Sequence, residues 1–176
     1  MLTPRLIAII LAVFAAALFR ILPHPPNFSP IAAMALFSGA LLGRRALAFV
    51  APLGAMLLSD MVLGFHAGMP FVYGSVALIV ALGWLLSSSR TAARLALTAA
   101  ASSVLFYLVT NFGVWAIGDM YPKTAAGLLA CYVAAIPFFQ NSLAGDLFFT
   151  ALLFGGFALA ERWLPVLRQA PELRTA

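Results

Sequence analysis

The pattern of hydrophobic and polar positions divides the chain into long apolar runs joined by short polar or proline-rich connections. Unbroken apolar runs of this kind predict membrane-spanning helices, because the strands of a membrane β-barrel alternate apolar and polar positions over about 10 residues. The sequence therefore predicts an all-α, polytopic membrane protein. The apolar runs cover residues 5–22, 30–43, 46–64, 71–86, 95–117, 124–139 and 142–163.

Three of these runs depart from an ordinary membrane span. Residues 30–43 form a helix of only about 20 Å, against a hydrocarbon core of about 30 Å, so we expect this helix to be buried among others. Gly39 and Gly43 at its end predict close helix packing. Pro52 predicts a kink in the run 46–64. The run 124–139 is short and contains Pro137, so we expect an interfacial or re-entrant helix there.

The distribution of basic residues predicts the topology. With six transmembrane helices and the run 124–139 left out, Arg20 and Lys123 are the only basic residues on one side. Counting 124–139 as a seventh span would give five basic residues on each side. Basic residues in short loops remain cytoplasmic, so the bias favours six spans with both termini in the cytoplasm. The basic residues on the predicted cytoplasmic side are Arg5, Arg44, Arg45, Arg90, Arg94, Arg162, Arg168 and Arg174.

Composition supports the membrane class and limits the other classes. The chain is 64% hydrophobic and 9% charged, whereas soluble domains carry about 25% charged residues. The net charge of +5 then reflects cytoplasmic arginines, and we predict no nucleic-acid partner. The single cysteine, Cys131, excludes an intramolecular disulfide. We expect one transmembrane domain over residues 1–164 and a flexible cytoplasmic tail over residues 165–176.

The first apolar run also has the features of a signal peptide, with Arg5 ahead of it and Ala15, Ala16 and Ala17 inside it. Removal of that run would delete a helix that the packing of the later helices needs. We therefore interpret residues 5–22 as the first span.

The connection between the first two runs combines helix-breaking and polar residues. Pro23, Pro25, Pro26 and Pro30 forbid a continuous helix over residues 20–30. A turn between two spans needs such residues, but it does not need the arginine, histidine, asparagine and serine that accompany them. We interpret this loop as part of the lid and wall of a small-molecule site.

Polar residues inside the spans gather at one depth. Asp60, Asn111 and Asp146 each lie about 6–10 Å below the predicted outer surface, at about 1.5 Å per residue. An ionisable group inside a span costs a few kcal/mol and indicates function by default. Further polar residues occupy the predicted outer loops. The predicted substrate-binding residues are Arg20, His24, Asn27, Asp60, His66, Asn111, Trp115, Asn141 and Asp146.

A structural explanation competes with this site. Arg20 could pair with Asp60 or Asp146 and only join helices, and Asn111 could form a hydrogen bond between helices. His24 and His66 lack the HxH or HxxxH spacing of a metal site, so metal binding stays a minor alternative and no metal ligand is assigned. The chain has no phosphate-binding loop, HExxH or GxSxG motif, so we expect neither an enzyme nor a cofactor.

Two segments carry a resemblance to known proteins. Residues 26–43, Pro-Asn-Phe-Ser-Pro-Ile-Ala-Ala-Met-Ala-Leu-Phe-Ser-Gly-Ala-Leu-Leu-Gly, precede a span that ends in Ser59-Asp60, and Asn141-Ser-Leu-Ala-Gly-Asp146 opens the last span. These segments resemble a family of small bacterial membrane proteins described only as transport proteins. The layout is similar to the S components of energy-coupling factor vitamin transporters. That similarity implies six helices, an outward-facing site, and docking of a small-residue stripe, here Ala8, Ala12 and Ala16, on an energy-coupling membrane subunit with ATPases.

The sequence thus favours a substrate-binding subunit of the bacterial inner membrane for uptake of a vitamin-like small molecule. The alternatives are a stand-alone channel or carrier and a structural membrane subunit. A carrier that moves its substrate across the membrane needs polar groups near the midplane, but the predicted cytoplasmic halves of the spans are almost purely apolar. The expected partners are the lipid bilayer, a small-molecule substrate and the energy-coupling subunit.

Overall fold

The computed structural model describes residues 3–168, which form helices and turns without a strand. The prediction of an all-α protein is confirmed. With their 3₁₀ extensions, α1, α4, α5 and α6 are long and apolar enough to cross a membrane, and α2 and α3 are shorter apolar helices. The helices are α1 (Pro4–Leu18), α2 (Ile31–Leu42), α3 (Leu47–Leu63), α4 (Met69–Gly83), α5 (Ala92–Ile117) and α6 (Ala125–Trp163).

Local sequence signals place several of the helix ends. The hydroxyls of Thr3, Thr91 and Thr124 accept hydrogen bonds from main-chain N–H groups of the first turns of α1, α5 and α6. Gly43 and Gly64 follow α2 and α3 with φ of 63° and 98°, in a region of backbone conformation that residues with a Cβ avoid. The short loops between the helices therefore form where the sequence provides caps.

Helix α2 is the centre of the bundle and packs against the other five α-helices. Ten of its 12 residues are buried, which confirms the prediction for this short run. Gly39 is in direct backbone contact with α4, because a Cβ at Gly39 would lie 2.0 Å from the carbonyl oxygen of Val80. Gly43 has another role than the one predicted. It caps the helix, and a Cβ there would meet no atom within 4 Å.

The expected separate helix over residues 124–139 is wrong. The structure shows one helix, α6, of 39 residues, which continues through Pro137 and is about 58 Å long. Pro137 removes one main-chain hydrogen bond of the helix, to the carbonyl of Val133, but packing against neighbouring helices can keep the helix segments before and after a proline in line. Here the N-terminal half of α6 is fixed to α5, since Tyr132 Oη donates to Leu108 O at 2.9 Å.

The last described residues fold back onto α1. Pro165–Leu167 form a 3₁₀ turn in which Leu167 is buried. Arg5 donates to Leu167 O and pairs with Glu161 of α6. Residues 165–168 are therefore docked rather than a free tail, and the remainder of the predicted tail lies outside the described residues. We call this end of the bundle the arginine end. Arg20 lies at the opposite end of α1.

We expect Gly39→Ala to lower the stability of the fold by about 1–3 kcal/mol or more, because the added Cβ forces apart two backbones. Gly155→Ala on α6 is the matched control, since a Cβ there meets no atom within 4 Å. Cys131 is 2% exposed, so the rate at which a thiol-reactive dye labels it during heating in mild detergent reports unfolding. Equal melting temperatures for the two variants would contradict the close α2–α4 contact.

Candidate functional site

A cavity of about 330 Å³ lies at the Arg20 end of the bundle, which we call the cavity end. Its walls come from the proline-rich loop, the start of α2, the α3–α4 connection, α4, α5 and α6. Space remains there because α2 starts only at Ile31, after the loop has turned back into the bundle. The lining residues are Arg20, Asn27, Ser29, Ile31, Ala32, His66, Val72, Phe106, Tyr107, Thr110, Asn111, Ala135, Phe138, Phe139, Ser142 and Asp146.

The structure brings together five of the nine residues that the sequence analysis assigned to a site. They line the one cavity and come from the loop at the end of α1, the α3–α4 connection, α5 and α6: Arg20, Asn27, His66, Asn111 and Asp146. The other four predicted residues lie outside the lining of the cavity: His24, Asp60, Trp115 and Asn141.

Two of the four residues outside the lining stabilise local structure away from the cavity. His24 is held by its Nδ1, which lies 2.7 Å from Leu22 O. Trp115 donates from its indole N–H to Pro122 O at 2.9 Å and so closes the turn between α5 and α6. The contacts of both side chains are structural.

Asp60 lies behind Arg20, outside the lining of the cavity. Its Oδ1 accepts from Arg20 Nη2 at 2.6 Å and its Oδ2 accepts from Tyr73 Oη at 2.7 Å. Arg20 Nη1 also donates to Ser59 Oγ and to Met56 O. Asp60 is 3% exposed, and both of its oxygens are occupied. The pair therefore joins the end of α1 to α3 and α4, as in the structural explanation, and it holds the Arg20 side chain against the cavity.

The proline-rich loop reaches the cavity through a tight turn. Phe28 N donates to Pro25 O at 3.0 Å, and Asn27 has φ of 62°. Proline at the second position and asparagine at the third are the residues that favour a type II turn, because the third position needs a positive φ. The turn places Asn27 in the cavity wall.

Helix α6 holds this loop in position. Asn141 Nδ2 donates to Pro26 O at 3.0 Å. One turn further on, Gly145 leaves room for the loop backbone, since a Cβ there would lie 3.1 Å from Ser29 N. The run Asn141-Ser-Leu-Ala-Gly-Asp146 therefore docks the loop with its first and fifth residues, and Asp146, the sixth, lines the cavity.

Asp146 differs from Asp60 in its partners. Ser103 Oγ on α5 donates to Asp146 Oδ2 at 2.6 Å. The other oxygen, Oδ1, has no hydrogen-bond partner among residues 3–168, and the only ion pairs within that range are Arg5–Glu161 and Arg20–Asp60. The residue is 6% exposed. A buried carboxyl group that lines a cavity with one free oxygen can accept a hydrogen bond from a bound molecule.

The comparisons with known proteins identify a family but no activity. The family described as a family of unknown function, DUF6580, matches residues 1–167. The chain belongs to this family. No curated protein and no solved structure matches it. For this DUF6580 protein the case for a site therefore rests on the cavity and its residues.

Sequence reasoning missed part of the lining of this DUF6580 cavity. Tyr107 and Thr110 on α5 were not predicted, although Ser103, Tyr107 and Asn111 are spaced four apart on one helix face. That polar stripe was a usable signal. The aromatic residues Phe106, Phe138 and Phe139 carry no such signal, because the chain contains 15 phenylalanines.

The predicted docking stripe lies beside a separate apolar groove of about 450 Å³ between α1 and α6. Ala8, Ala12 and Ala16 line its α1 side, and Gly156 and Ala160 line its α6 side. The stripe is thus half-buried along a groove of this DUF6580 protein, and its role in docking stays a prediction.

We expect a stability cycle to show that Arg20 and Asp60 depend on each other. Asp60→Ala leaves the guanidinium of Arg20 buried without its partner and should cost about 3–5 kcal/mol, as should Arg20→Ala for the carboxylate. The double variant should recover part of that loss, because no unpaired charge remains. Unfolding midpoints of the four proteins, measured by Cys131 labelling, test this coupling. Additive losses would mean that the pair does not stabilise the fold.

We expect Asn27→Gly to fold like the wild type, because glycine adopts the φ of 62° without strain. Asn27→Ala should lower stability by about 1–2 kcal/mol, since alanine pays the full cost of a left-handed backbone. Melting temperatures of the two variants make the comparison. An Asn27→Ala protein as stable as Asn27→Gly would show that the turn does not hold the loop.

Proposed function

We propose that this protein captures a small molecule in the cavity and acts as a substrate-binding membrane subunit for its uptake. The observation that carries the proposal is the convergence of five polar residues, predicted on independent grounds, around one cavity. A volume of about 330 Å³ lies within the range of about 300–1,000 Å³ that is usual for small-molecule sites.

The chemistry of the lining supports the same function. Phe106, Phe138 and Phe139 give the cavity an apolar wall, while Asn27 and Asp146 provide polar groups from two sides. Small-molecule sites typically combine aromatic walls with a few placed polar groups. Helices supply most of the lining, and the loop that completes it is fixed by Asn141, so the site is preformed.

The orientation of the cavity follows from the arginines. Arg5 lies at the other end of α1 from the cavity, and the basic residues of the short predicted inner loops belong to the arginine end. By the positive-inside rule this end faces the cytoplasm. We propose a location in the bacterial inner membrane, with both termini cytoplasmic and the cavity facing outward.

The packing near the arginine end favours capture over passage through the protein. Phe37 of α2 packs edge to face against Phe154 and Phe157 of α6, at ring-centroid distances of 5.2 and 5.6 Å. All three rings are buried in the core. A molecule bound in the cavity would have to displace this packing to cross the bundle. Uptake then requires a partner, and we propose an energy-coupling membrane subunit that contacts the groove at Ala8, Ala12 and Ala16.

We expect Ala135→Trp to abolish ligand binding, because Ala135 lines the cavity and the indole fills it. Ala134→Trp is the matched control, since Ala134 is exposed and does not line the cavity. Mass spectrometry of small molecules that co-purify in mild detergent should find the same compound with the wild type and with Ala134→Trp. Ala135→Trp should have lost it.

Two outcomes would contradict the proposal. One is that no small molecule is enriched with the wild type above a detergent blank. The other is that an enriched molecule is retained equally by Ala135→Trp, which would place its binding site outside the cavity.

A further inference from the structure

The charges around the cavity do not balance. Arg20 is paired with Asp60, whereas Asp146 has no cationic partner among residues 3–168. With His66 neutral and the Asp146 carboxyl ionised, Arg20, Asp60 and Asp146 sum to one negative charge. The start of α2 also borders the cavity at Ile31 and Ala32. A helix N-terminus contributes about half a positive elementary charge, so the balance remains negative.

Three polar side chains of α5 in the lining offer acceptor oxygens to the cavity. Thr110 Oγ1 donates to Phe106 O at 2.7 Å, and Tyr107 Oη donates to Tyr132 O at 2.5 Å. Both hydroxyl protons are thus used within the protein, which leaves the oxygen lone pairs. Asn111 Nδ2 likewise donates to Tyr107 O at 2.8 Å, and its side-chain oxygen Oδ1 has no partner among residues 3–168. A ligand that satisfies these groups must carry hydrogen-bond donors.

Aromatic rings complete the lining and suit the same kind of ligand. Phe106, Tyr107, Phe138 and Phe139 all contribute to the wall. The faces of such rings attract cations, above all where water is excluded. A carboxyl group in the same apolar surroundings is stabilised in its ionised form by a positive partner.

An organic cation fits this arrangement better than a metal ion. Calcium binds six to eight oxygen ligands, several of them carboxylates, and Asp146 is the only acidic residue of the lining. Within residues 3–168 there is also no group of three His, Cys, Asp or Glu side chains that could hold a metal.

We propose that the ligand of this cavity is a small organic cation, an amine or protonated nitrogen heterocycle with at least one N–H donor, and that Asp146 is its counter-ion. The free Oδ1 accepts the N–H of the ligand while Ser103 holds Oδ2. This inference rests on the proposed function and adds the charge class of the substrate.

The test compares three probes that share an indole ring and differ in charge: tryptamine, tryptophol and indole-3-propionate. Binding to the full-length protein in mild detergent is measured by calorimetry. We expect tryptamine to bind at least about tenfold more tightly than the neutral or the anionic probe. Asp146→Asn should remove this preference, because the amide can still accept from Ser103 but carries no charge. Asp119→Asn is the matched control and should keep the preference, since Asp119 is exposed and lies outside the cavity lining.

Each result decides for or against the inference. Equal or tighter binding of tryptophol or indole-3-propionate would overturn it, and so would an unchanged tryptamine affinity in Asp146→Asn. If Asp146→Asn fails to fold, as shown by Cys131 labelling, the order of the three probes on the wild type decides alone. Absence of tryptamine binding at about 1 mM would also overturn the cation assignment. The co-purification experiment judges the proposed function separately, because a neutral or anionic molecule lost in Ala135→Trp would leave that function standing.

Discussion

The structure depends on the burial of one short helix on all sides. Helix α2 contacts every other α-helix, and ten of its 12 residues are buried. At Gly39 the backbone of α2 meets that of α4 without an intervening side chain, so the two helices are in direct van der Waals contact. The same helix is too short to fill the bundle from end to end. Its first residues, Ile31 and Ala32, line the cavity.

The polar side chains at the cavity end fall into two groups, one that stabilises the structure and one that keeps acceptor oxygens free. Asn141 donates to Pro26 O, and Arg20 and Asp60 form a saturated pair. These contacts fix the loop and the end of α1, which would otherwise be held only by apolar packing without direction. Asp146 and Asn111 keep acceptor oxygens free in the space that the first group encloses. A rigid frame of satisfied groups thus surrounds a small set of unsatisfied ones, which is the arrangement that a preformed binding site requires.

The apolar runs of the sequence and the depth of polar residues within them predicted much of the fold and part of the cavity lining. The short length of the run 30–43 already required burial, because a helix of about 20 Å cannot span the hydrocarbon core alone. The similar depth of Asn111 and Asp146 predicted that they would meet. The continuity of α6 was not predictable from Pro137, because local rules count the lost hydrogen bond but not the contacts to α5 that compensate for it. Tyr107 and Thr110 were missed, although Tyr107 lies four residues before Asn111 on one face of α5 and Thr110 lies three residues after Tyr107.

The two aspartates show what sequence could not distinguish. Asp60 and Asp146 both lie about one turn from the predicted outer end of a span, and either could have paired with Arg20. In the structure Arg20 pairs with Asp60. Asp146 accepts one hydrogen bond, from Ser103, and its second carboxyl oxygen has no partner among residues 3–168. A structural role demands that a buried charge be fully paired, since an unpaired one costs more than its remaining contacts return. Asp60 meets that demand and Asp146 does not. Asp146 therefore keeps an acceptor oxygen available to a molecule in the cavity, beside the aromatic residues of the lining.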